Sequence, residues 1–151
     1  MPIGAGQKLP DFDLPTSAGG RVGSSDLLGR RTVLYFYPKD DTPGCTVEAH
    51  EFTTLVDDFR ARGVDVFGVS PDSPSSHDRF VKKCELGVPL ISDQERVLCE
   101  ALGVWQQKSF AGRTYMGVVR STFLVGPDGT VEQEWRQVRA PGHAAAVLAS
   151  L

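Results

Sequence analysis

Three cysteines, at positions 45, 84 and 99, are the residues of this 151-residue sequence best suited to chemistry, and Cys45 is the one whose surroundings prepare it. A strand-like run from Arg31 to Tyr37 is stopped by Pro38. A turn-rich stretch through Asp41, Pro43 and Gly44 follows, and helical spacing begins at Cys45. A thiol at a helix start faces the free N–H groups of the first turn and the positive end of the helix dipole. Both favour the thiolate, which is the nucleophile. An ordinary cysteine of pKa ~8.5 is about 3% thiolate at pH 7, whereas one lowered to ~6 is about 90% ionised. That shift of ~2.5 units is roughly 3.4 kcal/mol, more than a helix end supplies alone. A cation from elsewhere in the chain must add the rest.

The elements that position this thiol follow from patterning. Val33, Leu34, Tyr35 and Phe36 form the continuous apolar run of a strand covered on both faces. A helix is predicted from about Thr42 or Gly44 to Arg62, with Phe52, Leu55, Val56 and Phe59 at spacings of three and four and Gly63 as its left-handed stop. Val64 to Val69 reads as a second core strand. Ser73-Pro74 starts a second helix that carries Phe80, Val81 and Cys84 and ends near Gly87. Val88 to Ile91 is a short strand, and Asp93 caps a third helix closed by Gly103. Ser121 to Val125 and Thr130 to Trp135 flank Gly126-Pro127-Asp128-Gly129 as a hairpin, and a last helix follows Gly142. Ahead of all this, Phe12, Leu14, Arg21 and Val22 around Gly19-Gly20 form a small hairpin. The alternation gives an α/β sandwich with a partly parallel sheet in a single domain over 1–151.

Composition narrows the function. A net charge of −3 and short basic spots at Arg30-Arg31 and Lys82-Lys83 leave no footprint for nucleic acid. The N-terminus lacks the pattern of a signal peptide or membrane span, so the expected location is cytoplasmic and no membrane partner is expected. An odd number of scattered cysteines, with His50, His77 and His143 equally scattered, fits neither a disulfide framework nor a metal site. Redox chemistry at individual thiols remains.

The segment YFYPKDDTPGCT, with GVDVFGVSPDS, PLISD, GVW and STFLVGPDG in order along nearly the whole chain, resembles the bacterioferritin comigratory protein or PrxQ subfamily of the peroxiredoxins. The resemblance implies a thioredoxin-like fold with an N-terminal extension, its central mixed sheet flanked by helices. It also implies thiol-dependent reduction of hydrogen peroxide and organic hydroperoxides, with no cofactor. Cys45 then corresponds to the peroxidatic cysteine, and Thr42 is placed to bond the thiolate or the peroxide. Pro38 covers the thiolate from water, and Arg120, just before the Ser121 strand, is the missing cation. Arg113 and Arg136 lack the matching flanks. Glu48, one turn after Cys45, reads either as a helix-dipole residue or as part of a network around the arginine.

Many members of the subfamily carry a resolving cysteine five residues after the peroxidatic one, where this sequence has His50. Imidazole cannot form a disulfide, so the local route is closed, and His50 reads as a surface residue of the helix. Cys84 matches the resolving position of another group within the subfamily, which implies an intramolecular Cys45–Cys84 disulfide. The alternative for Cys84 is a small core residue, with Cys45 reduced directly by an external thiol. Cys99 reads as structural. Bridging Cys45 and Cys84 requires their α-carbons within about 7 Å, and hence local unwinding. The implied partners are a peroxide and thioredoxin or a similar thiol reductant, acting on a monomer. A non-catalytic redox sensor or chaperone is the competing class.

Overall fold

The computed structural model describes residues 2–151. Five strands form its central sheet: β3 (Arg31–Phe36), β4 (Val64–Ser70), β5 (Leu90–Ser92), β8 (Ser121–Val125) and β9 (Val131–Trp135), in the order β5-β4-β3-β8-β9. β3, β4 and β5 run parallel, with Val33 opposite Val66 and Val69 opposite Ile91, while β8 and β9 add antiparallel on the other side. The parallel part is joined by α1 (Pro43–Ala61) and α2 (Pro74–Cys84), as parallel neighbours require. Two short strands, β1 (Asp13–Pro15) and β2 (Arg21–Gly23), pair antiparallel in the expected N-terminal hairpin.

Strand alternation divides the core. Val33, Tyr35 and Tyr37 face a layer containing Cys45, Phe52, Phe59 and Phe80, with Ala144 and Val147 of α4 (His143–Ala149). Leu34 and Phe36 face the opposite layer, with Phe12, Leu27, Phe123 and the side chains of α3 (Val97–Ala101). The apolar run is continuous because both faces of this strand are covered. Gly63, at φ +75, ends α1 in the left-handed conformation expected of it.

The start of α1 falls where expected, while the boundaries of the next two helices differ. α1 starts at Pro43, whose fixed φ suits a first helical position. α2 stops at Cys84, where Glu85 takes a left-handed conformation at φ 52, two residues before Gly87, where a glycine would have allowed that turn more easily. The N-cap of α3 is Arg96; the Asp93 carboxylate instead reaches forward to accept the Cys99 N–H at 2.8 Å. A two-stranded hairpin of β6 (Trp105–Phe110) and β7 (Arg113–Val118) stands apart from the main sheet and was not foreseen from patterning. No helix among the described residues is long and apolar enough to cross a membrane.

Candidate active site

The parallel strand β3 delivers the chain to its C-terminal end, where a tight loop turns it into α1. Asp41 adopts φ 60 in that loop, and Thr42, in extended conformation, becomes the N-cap. Thr42 does not cap with its side chain. Its hydroxyl donates to the Lys39 carbonyl at 2.9 Å, which ties the loop back on itself and leaves the hydroxyl oxygen free to accept. Cys45 is the third residue of α1, inside the first turn, whose N–H groups have no helical carbonyl to meet; the first such bond runs from the Thr46 N–H to the Thr42 carbonyl at 2.8 Å. Its side chain is buried, at 2% exposure.

Arg120, between β7 and β8, brings the cation. One terminal nitrogen, Nη2, lies 3.3 Å from Cys45 Sγ, and the other, Nη1, donates to Glu48 Oε1 at 2.5 Å. The guanidinium passes so close to the loop that a β-carbon on Gly44 would meet Nη2 at 3.1 Å, which gives Gly44 a physical reason to lack one. Arg120 therefore spans the thiol and the carboxylate one helical turn away. Of the two readings open for Glu48, the structure selects the network around the arginine: its side chain is 0% exposed, too deep to serve as a solvated first-turn charge. Burial pushes the Glu48 carboxyl up, to about 7, against the opposing pull of Arg120. Its second oxygen, Oε2, has no partner among the described residues. Arg120 keeps a raised pKa: burial opposes the charge, but Glu48 and Cys45 outweigh it. Arg113 lies exposed on the β6–β7 hairpin, and Arg136 donates to the Leu102 and Ile3 carbonyls, so neither reaches the thiol.

Behind the loop is a second polar cluster that sequence spacing did not reveal. The Asp40 carboxylate accepts from Tyr37 Oη at 2.6 Å, Ser76 Oγ at 2.8 Å and His77 Nδ1 at 2.7 Å, while its N–H donates to Asp72 Oδ2 at 2.8 Å. The other nitrogen of His77 faces the Ile91 carbonyl at 3.1 Å, so both edges of this fully buried ring meet acceptors. Burial pushes the Asp40 carboxyl up, but the bonds from His77, Tyr37 and Ser76 prevail and hold it below its ordinary range. Asp40, Asp72 and His77 sit close enough to hold a metal ion, yet the contacts just given engage them with protein partners. The cluster fixes the loop that carries Pro38 and Thr42 to the first half of α2.

The remaining cysteines separate cleanly. Cys84 is partly buried at the last turn of α2, packed against the same core layer as Cys45. Cys99 is wholly buried in the opposite layer, where burial first and then Asp93 push its thiol well above the ordinary range, so it carries no thiolate. All three are free thiols. His50 is exposed on α1, as expected, but its Nε2 lies 3.2 Å from the Cys84 carbonyl, a contact that sequence separation had hidden.

Comparison with known proteins gives a consistent picture. The sequence matches the AhpC/TSA family over residues 5–134. Peroxiredoxin Bcp of Bacillus subtilis is 44% identical over 151 residues, covering 100% of this chain and 96% of the relative. The structure of Xanthomonas campestris peroxiredoxin Q superposes with a TM-score of 0.90 at 43% identity, covering 97% of this chain and 95% of that one. Xylella fastidiosa PrxQ gives a TM-score of 0.94 at 39% identity, covering 99% and 96%. The thioredoxin-like fold expected from the motifs is therefore the fold found. A thiol at a helix start beside an arginine, in a chain that aligns end to end with these relatives, leads to one conclusion: the chain belongs to the AhpC/TSA family, among the Bcp/PrxQ peroxiredoxins, and is a thiol-dependent peroxidase.

Proposed function

We propose that the chain works as one domain in which Cys45 is the peroxidatic thiol and Cys84 the resolving thiol. The observation that carries this reading is Arg120 Nη2 at 3.3 Å from Cys45 Sγ, a fixed cation at a thiol already placed in the first turn of a helix. The thiolate attacks one oxygen of the peroxide. The O–O bond breaks, the departing oxygen takes a proton and leaves as water or an alcohol, and Cys45 becomes a sulfenic acid. The free N–H groups of the first turn and Arg120 stabilise charge on the oxygens as it develops. Of the two partners expected for Thr42, this reading takes the peroxide: with the Thr42 proton committed to the Lys39 carbonyl at 2.9 Å, its oxygen accepts the peroxide O–H. Pro38 has no N–H to offer and shields the sulfur from water.

Cys84 then attacks the Cys45 sulfenic sulfur. An S–S bond forms, the S–O bond breaks, and the hydroxyl leaves as water after taking up the Cys84 proton. Thioredoxin supplies the two electrons that reopen the disulfide. Substrates include organic hydroperoxides; the Xanthomonas campestris relative has been studied for alkyl peroxide reduction. The cycle closes within one chain, so the working unit is a monomer, and it acts in the reducing cytoplasm, where thiol reductants keep the disulfide reopened.

Steady-state peroxide turnover with thioredoxin and with a small thiol tests this reading. Cys45→Ser should abolish both, and Cys84→Ser should lose thioredoxin-supported turnover while its sulfenic acid stays reducible by the small thiol. Undiminished thioredoxin turnover in Cys84→Ser would instead establish a one-cysteine cycle.

A further inference from the structure

The end of α2 that carries Cys84 is held to α1 by few bonds. His50 Nε2 lies 3.2 Å from the Cys84 carbonyl, and because a carbonyl only accepts, that nitrogen bears the proton and donates. One turn along the same face of α1, Thr53 Oγ1 accepts the Gly87 N–H at 3.1 Å. On the other side Lys83 pairs with Asp41 at 2.8 Å, an exposed pair of small value. The helix end itself is strained, since Glu85 closes it in the left-handed region that side chains disfavour. The first half of α2 is different. Ser73 caps its start by accepting the Ser76 N–H at 3.1 Å, and His77 is wholly buried between Asp40 and the Ile91 carbonyl. α2 thus begins in a buried polar anchor, whereas its end, beyond the packing of Val81, Cys84 and Leu86 on the core, is tied to its neighbours by exposed hydrogen bonds, and Cys84 is on that side.

We infer that His50 is a positioning residue for resolution: its hydrogen bond to the Cys84 carbonyl latches the last turn of α2, and release of that latch sets how fast Cys84 reaches the Cys45 sulfenic acid. The residue that occupies the place of a local resolving cysteine therefore restrains the distant one. The role rests on the reading that Cys84 resolves. Chemically nothing changes at the sulfur atoms: the same S–S bond forms, the same S–O bond breaks, and water leaves. Only the population of the open helix end shifts. A single exposed hydrogen bond makes that population change modest, about 2- to 10-fold when it is lost. A tighter latch prolongs the sulfenic acid and exposes it to a second peroxide, so His50 also tunes overoxidation to sulfinic acid.

The test compares wild type, His50→Ala and His50→Gln, whose amide N–H can reach the same carbonyl, and reads two properties. Amide hydrogen exchange on the reduced protein probes the latch without any reaction: residues 84–86 should exchange about 2- to 10-fold faster in His50→Ala, with 74–80 unchanged and His50→Gln close to wild type. Single-turnover stopped-flow probes its consequence. The peroxide-dependent first phase should stay as in wild type, while the peroxide-independent second phase quickens by the same factor in His50→Ala. Unaltered exchange at 84–86, equal effects of Ala and Gln, or a second phase that does not quicken while exchange does, would overturn the inference. Cys84→Ser is run alongside. A second phase that survives in it refutes the resolving role of Cys84, a failure distinct from that of the latch, which exchange reports independently.

Discussion

Replacing Arg120 by methionine removes the cation while keeping a side chain of similar reach, and the structure separates the two costs. The first falls on stability. Glu48 is 0% exposed and its Oε2 already lacks a partner among the described residues, so Arg120→Met strands a buried carboxylate. Breaking such a pair costs about 3–5 kcal/mol, a large part of a total stability of about 5–15 kcal/mol. Because burial already pushes the Glu48 carboxyl up to about 7, the stranded group escapes by taking a proton, and the penalty shrinks as pH is lowered. The second cost falls on the reaction. Loss of the donor at 3.3 Å from Sγ removes stabilisation of the attacking sulfur and of the oxygens, worth about 10²–10³ in rate for one such donor. Adding Glu48→Gln to Arg120→Met removes the stranded charge without restoring the cation. Urea unfolding at pH 8 and 5.5, with stopped-flow peroxide kinetics read through Trp105 and Trp135, measures both. The double variant should recover most of the lost stability at pH 8 and almost none of the lost rate. A double variant as unstable as the single one, or Arg120→Met within about threefold of the wild-type rate, would refute the reasoning.

Other consequences follow from the same geometry. Thr42→Val should slow the reaction with peroxide about 100-fold or more, while Thr42→Ser, which keeps the hydroxyl, stays within about tenfold; equal losses would mean that the hydroxyl has no part in it. His143, whose Nε2 faces Thr122 Oγ1 at 2.7 Å, is held down to about 4 by burial and then by Arg120. Its stabilising contribution is therefore present above the ordinary value of 6.5 and is lost as pH falls through about 4. Glu48 acts in the opposite sense, contributing fully below about 4.5 and losing that contribution as pH rises through about 7. The unfolding free energy of wild type minus that of His143→Gln should rise by up to about 1.4 kcal/mol per unit between pH 4 and 6.5 and then level off. A difference that is level throughout contradicts this. Asp40→Ala should cost about 1–3 kcal/mol by leaving the buried donors of Tyr37 and His77 without their acceptor, read as a lower urea midpoint; a change under about 0.5 kcal/mol would remove the cluster from its anchoring role.

What the sequence disclosed was local. The β3 run, the proline and glycine punctuation before Cys45, the Ser73 cap and the Gly63 stop are each set by neighbours a few residues away, and each appears where patterning put it. Arg120 came from resemblance to relatives, because its flanks single it out from Arg113 and Arg136 only when set against the family pattern. The fate of Glu48 was undecidable in sequence, since its partner lies 72 residues away. The same holds for Asp40 with His77, separated by 37, and for His50 with Cys84, separated by 34. The β6–β7 hairpin escaped for another reason. It stands off the core with most of its side chains in solvent, so no burial alternation marks it, and its turn uses Ala111-Gly112 at positive φ where asparagine or aspartate would have given the usual signal. The early stop of α2 was missed because Glu85 takes a conformation for which its side chain gives no cue.

The central claim is that one helix-start thiol reacts with peroxide and that a thiol on another helix resolves it. It is tested most directly by adding one equivalent of peroxide to the fully reduced protein and mapping the cysteines by non-reducing peptide mass spectrometry. The account predicts a single dominant intramolecular bond joining the Cys45 and Cys84 peptides, with Cys99 still reduced. A dominant bond between two chains, a bond to Cys99, or Cys45 accumulating as sulfenic acid beside an unreacted Cys84 would contradict it.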